Sequence, residues 1–93
     1  MEEDLTTLAF TCTGRVQGVS FRAWVQAQAR ELDVAGWVRN ERDGSVTGLL
    51  HGAETAVRTL VDRLGEGPAQ ARVASVTTQP MDDVAPEGFV ILR

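Results

Sequence analysis

The sequence predicts an α+β two-layer sandwich, with two helices on one face of a four- to five-stranded antiparallel sheet. Three observations predict it. The stretches 7–13, 34–41, 45–51, 72–79 and 89–92 read as strands, short runs rich in apolar and small polar residues bounded by Gly, Pro or polar clusters. Two other stretches repeat their apolar residues at helical spacing. Asp43-Gly44, between two of the strand-like runs, is a strong short-range signal for a β-hairpin.

Element by element, Leu8, Phe10 and Cys12 share one face of the first strand while threonines take much of the other. Gly14 and Gly18 then bracket a loop, and Ser20 stands where a helix N-cap is expected. Phe21, Val25, Ala29 and Leu32 form one helical stripe, and residues 23–30 contain neither Gly nor Pro. Residues 34–41 make the second strand, Asp43-Gly44 the turn, and 45–51 the return, with Val46, Gly48 and Leu50 on one face and Thr47, Leu49 and His51 on the other. Val57, Leu60, Val61 and Leu64 mark the second helix, with Gly65 as its expected C-terminal stop. A loop over 65–70 leads to the Val/Thr-rich strand 72–79, which Pro80 ends; 81–88 is a polar loop, and 89–92 is a short closing strand. The order β-α-β-β-α-β is the split arrangement called ferredoxin-like. A fold hosts many functions, so the function must be read from a site.

The 93 residues suffice for one hydrophobic core, since a chain of this size hides about 65% of its unfolded surface. Hydrophobic residues at 43% and charged residues at 24% match ordinary globular usage, which argues against disorder. The net charge of −4 owes most to Glu2, Glu3 and Asp4; beyond them ten acids face nine arginines. A nearly neutral body argues against attraction to nucleic acid or an anionic membrane. An RNA-binding sheet would also want exposed aromatics and a basic face, and tyrosine is absent. No lysine is present, which excludes Schiff-base chemistry. With one cysteine, Cys12, and one histidine, His51, neither an internal disulfide nor a Cys/His zinc site can form within the chain. The start shows no basic region followed by an apolar core, and no apolar run approaches about 18 residues. A cytoplasmic, soluble protein is the expectation.

The segment Gly14-Arg15-Val16-Gln17-Gly18-Val19-Ser20-Phe21-Arg22 runs from a strand into a helix, where backbone amides point outward and the helix dipole favours an anion. Glycines at both ends let several amides converge, and Arg22 in the first helical turn could close over the same anion. The plainer reading is a strand–helix connection with a solvated arginine. Other phosphate motifs fail: a Walker loop needs different glycine spacing and a lysine, and nine residues separate Cys12 from Arg22, too many for a cysteine phosphatase. Cys12 reads as strand interior.

That segment, followed by Gly36-Trp37-Val38-Arg39-Asn40 and Asp43-Gly44-Ser45-Val46, resembles the acylphosphatase family. The first stretch matches the family pattern Gly-x-Val-Gln-Gly-Val-x-Phe-Arg at every fixed position, and the second its Gly-Trp/Tyr-Val-x-Asn block. The likeness runs from about residue 7 to residue 92, and two separate blocks make it specific. It implies a ferredoxin-like sandwich that hydrolyses the carboxyl–phosphate bond of small-molecule acyl phosphates. By resemblance, Arg22 binds the phosphate with the backbone amides of Arg15, Val16, Gln17, Gly18, Val19 and Ser20, and Asn40 positions the water. An acyl phosphate has a good leaving group, so positioning and charge stabilisation suffice, with no cofactor or metal. The expected form is a monomer: residues 1–6 an acidic, flexible N-terminal extension, residues 7–93 the single domain. The pattern is weakest at 81–88 and after Ile91, segments expected to bear on stability rather than on the site. The alternative from another class is a non-catalytic anion-binding or regulatory module on the same fold.

The remaining polar residues have ordinary readings. His51 is expected on the open sheet face and Ser20 as a cap rather than a nucleophile. Trp24 and Trp37 read as packing residues, Trp37 sharing its face with Arg39. Arg15 reads equally as steering a dianion or as solvated. The turn explains Asp43, a solvated edge explains Glu41, and Glu54, Arg58, Asp62 and Arg63 form a wet helix face.

Overall fold

The computed structural model describes residues 4–93. The elements are β1 (Leu5–Arg15), α1 (Phe21–Glu31), β2 (Ala35–Asn40), β3 (Val46–Ala53), α2 (Glu54–Glu66), β4 (Arg72–Pro80) and β5 (Phe89–Leu92). They build one five-stranded sheet in the order β4-β1-β3-β2-β5, with both helices on one face. The central pairs are antiparallel and bring Leu8 opposite Leu50, Phe10 opposite Gly48 and Cys12 opposite Val46.

One expectation about the sheet is corrected. β5 pairs parallel with β2, Gly36 opposite Phe89 and Arg39 opposite Leu92, so the sheet is mixed rather than antiparallel. The cause is the 81–88 segment, which carries the chain from the β4 edge to the opposite edge. Its Met81 amide donates to the Thr7 carbonyl at one end (3.0 Å), and the Gly88 carbonyl accepts from Gly36 at the other (2.9 Å). β1 begins at Leu5, two residues before the alternation indicated, and the Asp4 carbonyl accepts the first amide of α2, from Glu54, at 3.0 Å. Residues 1–3 of the expected extension lie outside the described residues.

Helix stripes and sheet face meet as the periodicity requires. Phe21, Val25 and Ala29 of α1 and Val57, Leu60 and Leu64 of α2 are buried against Phe10, Cys12, Val38, Val46 and Leu50. Each Val, Leu or Phe among them contributes about 1.5–3 kcal/mol when fully buried. Gly48 makes room for the Phe10 ring: a Cβ there would overlap that ring and the Trp37 carbonyl oxygen. Leu49, on the opposite face, is buried as well, in a depression that Trp37 and Met81 also line. Two boundaries differ from the sequence reading. α1 ends at Glu31, with Leu32 at its C-cap, and α2 continues through Gly65 to Glu66, because Gly67 (φ +68°) supplies the break and donates to the Arg63 carbonyl.

Cys12 is fully buried, and burial pushes its thiol up to about 12. The native chain is therefore expected to resist thiol reagents at pH 8 and to label stoichiometrically in denaturant. Labelling at the rate of an exposed thiol without denaturant would contradict this packing. A raised acid pKa favours the neutral form in the fold, so this contribution to stability is present below the thiol's ordinary 9.0 and declines as pH rises from there toward 12.

Candidate functional site

The loop between β1 and α1 leaves the sheet at an irregularity. The β1–β4 register shifts between Thr13 and Gly14, and Gly14 has φ +110°. A Cβ at Gly14 would overlap the Arg72 carbonyl and the Ala74 amide, so only glycine lets the two strands approach there. Val16 and Val19 are buried and pin the loop to the core at two points, while Arg15, Gly18 and Ser20 stay exposed. Gly18 (φ +73°) and Ser20 (φ +62°) are left-handed and Val19 between them is not. Such alternation turns successive N–H groups toward one concave side, the geometry of an anion nest. Among the described residues, the backbone N–H groups of 16–20 donate to no protein acceptor.

Ser20 occupies the N-cap position, and its carbonyl accepts from Trp24 at 3.0 Å, but its hydroxyl makes no capping bond. The expected side-chain cap is thus corrected: the left-handed backbone turns the hydroxyl away from the helix amides. Holding a non-glycine residue there costs about 1–2 kcal/mol. The buried neighbours Val19 and Phe21 enforce it.

Arg22, in the first turn of α1, is half-buried, and its Nη1 donates to the Leu92 carbonyl of β5 at 3.3 Å. Asn40 is the last residue of β2, opposite Val46. Its Oδ1 is buried and without a hydrogen-bond partner. Gln17, Gly18, Ser20, Arg22, Asn40 and Ile91 line one cavity of about 220 Å³. That is below the roughly 300–1,000 Å³ typical of drug-sized ligands, and suits a phosphoryl group with a short substituent. A wider depression of about 760 Å³ lies on the open sheet face. Its lining carries charges of both signs, among them the Arg39–Glu41 pair, so chemistry rather than size selects the smaller cavity.

Charge around the cavity favours an anion. Glu41 follows Asn40 in sequence, yet its side chain lies on the open face, accepting from Thr47 Oγ1 at 2.6 Å and pairing with Arg39 at 2.8 Å. The Thr47 hydrogen bond, then that from Arg39, hold its carboxyl below its ordinary value. Asp43 is likewise held low by the hydroxyl and amide of Ser45. Neither carboxylate lines the cavity, where Arg22 is the charged side chain.

Of the residues expected at the site, Val16, Gln17, Gly18, Ser20, Arg22 and Asn40 meet around one cavity; Arg15 and Val19 do not line it. Arg15 ends β1 opposite Arg72. The end after Ile91, expected to bear on stability or aggregation rather than on the site, does reach it through the Leu92 carbonyl, and Ile91 lines the cavity. A main-chain acceptor leaves no trace in residue type, so nothing in the sequence could mark Leu92. The Gln17 amide is a second surprise: it points not at the cavity's ligand space but at the hairpin, donating to the carbonyls of Glu41 (2.7 Å) and Ser45 (2.9 Å). His51 lies on the open sheet face, hydrogen-bonded through Nδ1 to Thr7 Oγ1 at 2.7 Å. Trp24 packs against Phe21 with ring centroids 5.7 Å apart, and Arg39 lies 5.1 Å from the Trp37 ring centre. Glu41, expected at a solvated edge, is instead the centre of the Arg39–Thr47 network.

A family model described as acylphosphatase matches residues 8–91. An acylphosphatase of Mesorhizobium japonicum is 49% identical over 80 residues, 85% of each chain. One of Rhizobium meliloti is 45% identical over 94 aligned positions, covering 100% of this chain and 99% of the relative. The solved structure of an acylphosphatase from Coxiella burnetii superposes with a TM-score of 0.92 at 34% identity, over 96% of this chain and 94% of that one.

Proposed function

The chain belongs to the acylphosphatase family and hydrolyses acyl phosphates, and from that premise we propose how its own residues do so. The loop amides of 15–20 and the Arg22 guanidinium hold the phosphoryl oxygens. The observation that carries the reading is the buried, unpartnered Oδ1 of Asn40 in the same cavity as Arg22. An unsatisfied buried acceptor costs about 1–3 kcal/mol, so it takes a donor, and water is the donor at hand. Accepting a proton-side hydrogen bond from that water leaves a lone pair on the water oxygen free to face phosphorus.

The step follows from these positions. The water oxygen bonds to phosphorus as the phosphorus–oxygen bond to the acyl group breaks in line. The carboxylate departs with the bond's electron pair, and the water's proton leaves to solvent or to the phosphate formed. Charge collects on the phosphoryl and carboxylate oxygens, where preorganised N–H donors and a guanidinium act most strongly. A carboxylate leaves readily, so no general acid is called for, and a neutral amide holds the water without repelling the dianion. No observation favours the non-catalytic module.

The proposal extends to the setting: a cytoplasmic monomer working on small-molecule acyl phosphates without metal or cofactor, and without nucleic acid or membrane as partner. The near-neutral body supports it, and among the described residues no helix is long and apolar enough to cross a membrane. The test is hydrolysis of benzoyl phosphate followed by absorbance, with and without chelator, beside sedimentation of the active species. We expect equal rates and the mass of one chain. Loss of turnover in chelator that a divalent metal restores would overturn the metal-free mechanism.

A further inference from the structure

We propose that Gln17 is a positioning residue that sets the distance between the phosphate-holding loop and the water-holding Asn40. The inference rests on the roles given above to that loop and to Asn40. The Gln17 Nε2 group spends both its hydrogens on the hairpin, at 2.7 Å to the Glu41 carbonyl and 2.9 Å to the Ser45 carbonyl. These two carbonyls already close the turn: Ser45 O accepts the Glu41 amide (2.9 Å) and Glu41 O accepts the Gly44 amide (3.2 Å). The side chain is therefore fastened to the hydrogen-bonded closure of the hairpin, which begins at the residue after Asn40.

Through the sheet the loop's strand and Asn40 are joined only at one remove, by β3, whose Val46 lies opposite both Cys12 and Asn40. Val16 and Val19 anchor the loop in the core between the layers, and Asn40 ends a strand of the sheet. No ladder hydrogen bond joins them, since β1 and β2 are not neighbours in the sheet. A misplacement of about 1 Å between the held phosphorus and the attacking water can cost about 10²-fold in rate. Two amide hydrogen bonds across that gap hold the spacing. Exposed Gly18, directly after Gln17, gives the short stretch between the buried Val16 and Val19 room to shift by such a distance once those bonds are gone.

Gln17→Met keeps the length and packing of the side chain and removes its amide, and with it the two donated bonds; Gln17→Glu turns acceptors toward the two carbonyls. For both we expect kcat for benzoyl phosphate to fall about 10–10²-fold; in Gln17→Met inhibition by inorganic phosphate stays within about threefold of wild type, whereas the new carboxylate of Gln17→Glu, in the cavity lining, weakens it. Combining Gln17→Met with Asn40→Ala is expected to cost no more than about twofold beyond Asn40→Ala alone, because the two act through one positioned water. Unchanged kcat overturns the proposal. So does phosphate inhibition that in Gln17→Met weakens as far as kcat falls, which would make Gln17 a ligand. Full additivity in the double variant overturns it too, since Gln17 would then act independently of Asn40. If Asn40→Ala alone keeps wild-type turnover, the water-positioning reading fails and this inference with it. An inactive Asn40→Ala beside a fully active Gln17→Met sinks only the assignment to Gln17. Should Gln17→Glu fail to fold, Gln17→Met carries the test.

Discussion

Arg22→Ala is expected to lower turnover of benzoyl phosphate by at least 10²–10³-fold, roughly 3–4 kcal/mol of transition-state stabilisation. The guanidinium is the charged side chain of the cavity, at the start of α1, where the helix dipole adds to its field. It supplies several N–H donors in a fixed plane, and among the described residues its protein acceptor is the Leu92 carbonyl at 3.3 Å. That long, single bond to β5 aims the side chain while leaving most of its donors for a ligand. Losing it costs the fold little, so far-ultraviolet circular dichroism and the melting curve should stay close to wild type. Inhibition by inorganic phosphate should weaken alongside turnover, because the arginine holds the phosphoryl group before and during reaction. Arg22→Lys is expected to fall between wild type and alanine: the charge survives, the planar fork does not. Near-wild-type turnover in Arg22→Ala would remove this residue from the site.

The second large effect separates catalysis from binding. For Asn40→Ala we expect turnover to collapse by at least about 10²-fold, the cost of losing a positioned nucleophile, with phosphate inhibition nearly unchanged. The stability prediction is unusual for a buried polar residue. Its Oδ1 has no protein partner, so truncation breaks no hydrogen bond at that atom, and the melting temperature should not drop. Asn40→Asp should be inactive too, since a carboxylate beside the cavity would repel the substrate dianion. A loss of phosphate affinity as large as the loss of turnover would instead make Asn40 a substrate ligand.

The two residues were legible in different ways. Arg22 had a local signal: a strand-to-helix loop with glycines at 14 and 18 and an arginine in the first helical turn can hold an anion, although the plainer local reading was a solvated arginine. Asn40 had no such signal. Local features make it the end of a strand beside a hairpin, and its role came only from the family resemblance. What the structure adds is the buried, unpartnered oxygen in the cavity that Arg22 lines. Ser20 shows the opposite case, since its residue type argued for a side-chain cap and its left-handed backbone forbids one. Glu41 was read as solvated because its partners, Arg39 on its own strand and Thr47 across the hairpin, meet only once the strands pair in register.

The division follows the range of the interactions. Periodicity and turn residues together determined both helices, the five strands and the central hairpin, because alternation, the 3.6-residue repeat and a turn such as Asp43-Gly44 depend on neighbours along the chain. Periodicity also determined which faces are buried, as Phe21, Val25, Val57 and Leu60 confirm. Only the tertiary structure decided that β5 runs parallel beside β2, that the Leu92 carbonyl steers Arg22, and that Gln17 braces the hairpin. Each of these joins segments far apart in sequence, and two of them end on main-chain carbonyls, which every residue possesses. A group common to all residues cannot be read from residue type; it becomes specific only when the packed core brings one donor within hydrogen-bonding distance of it.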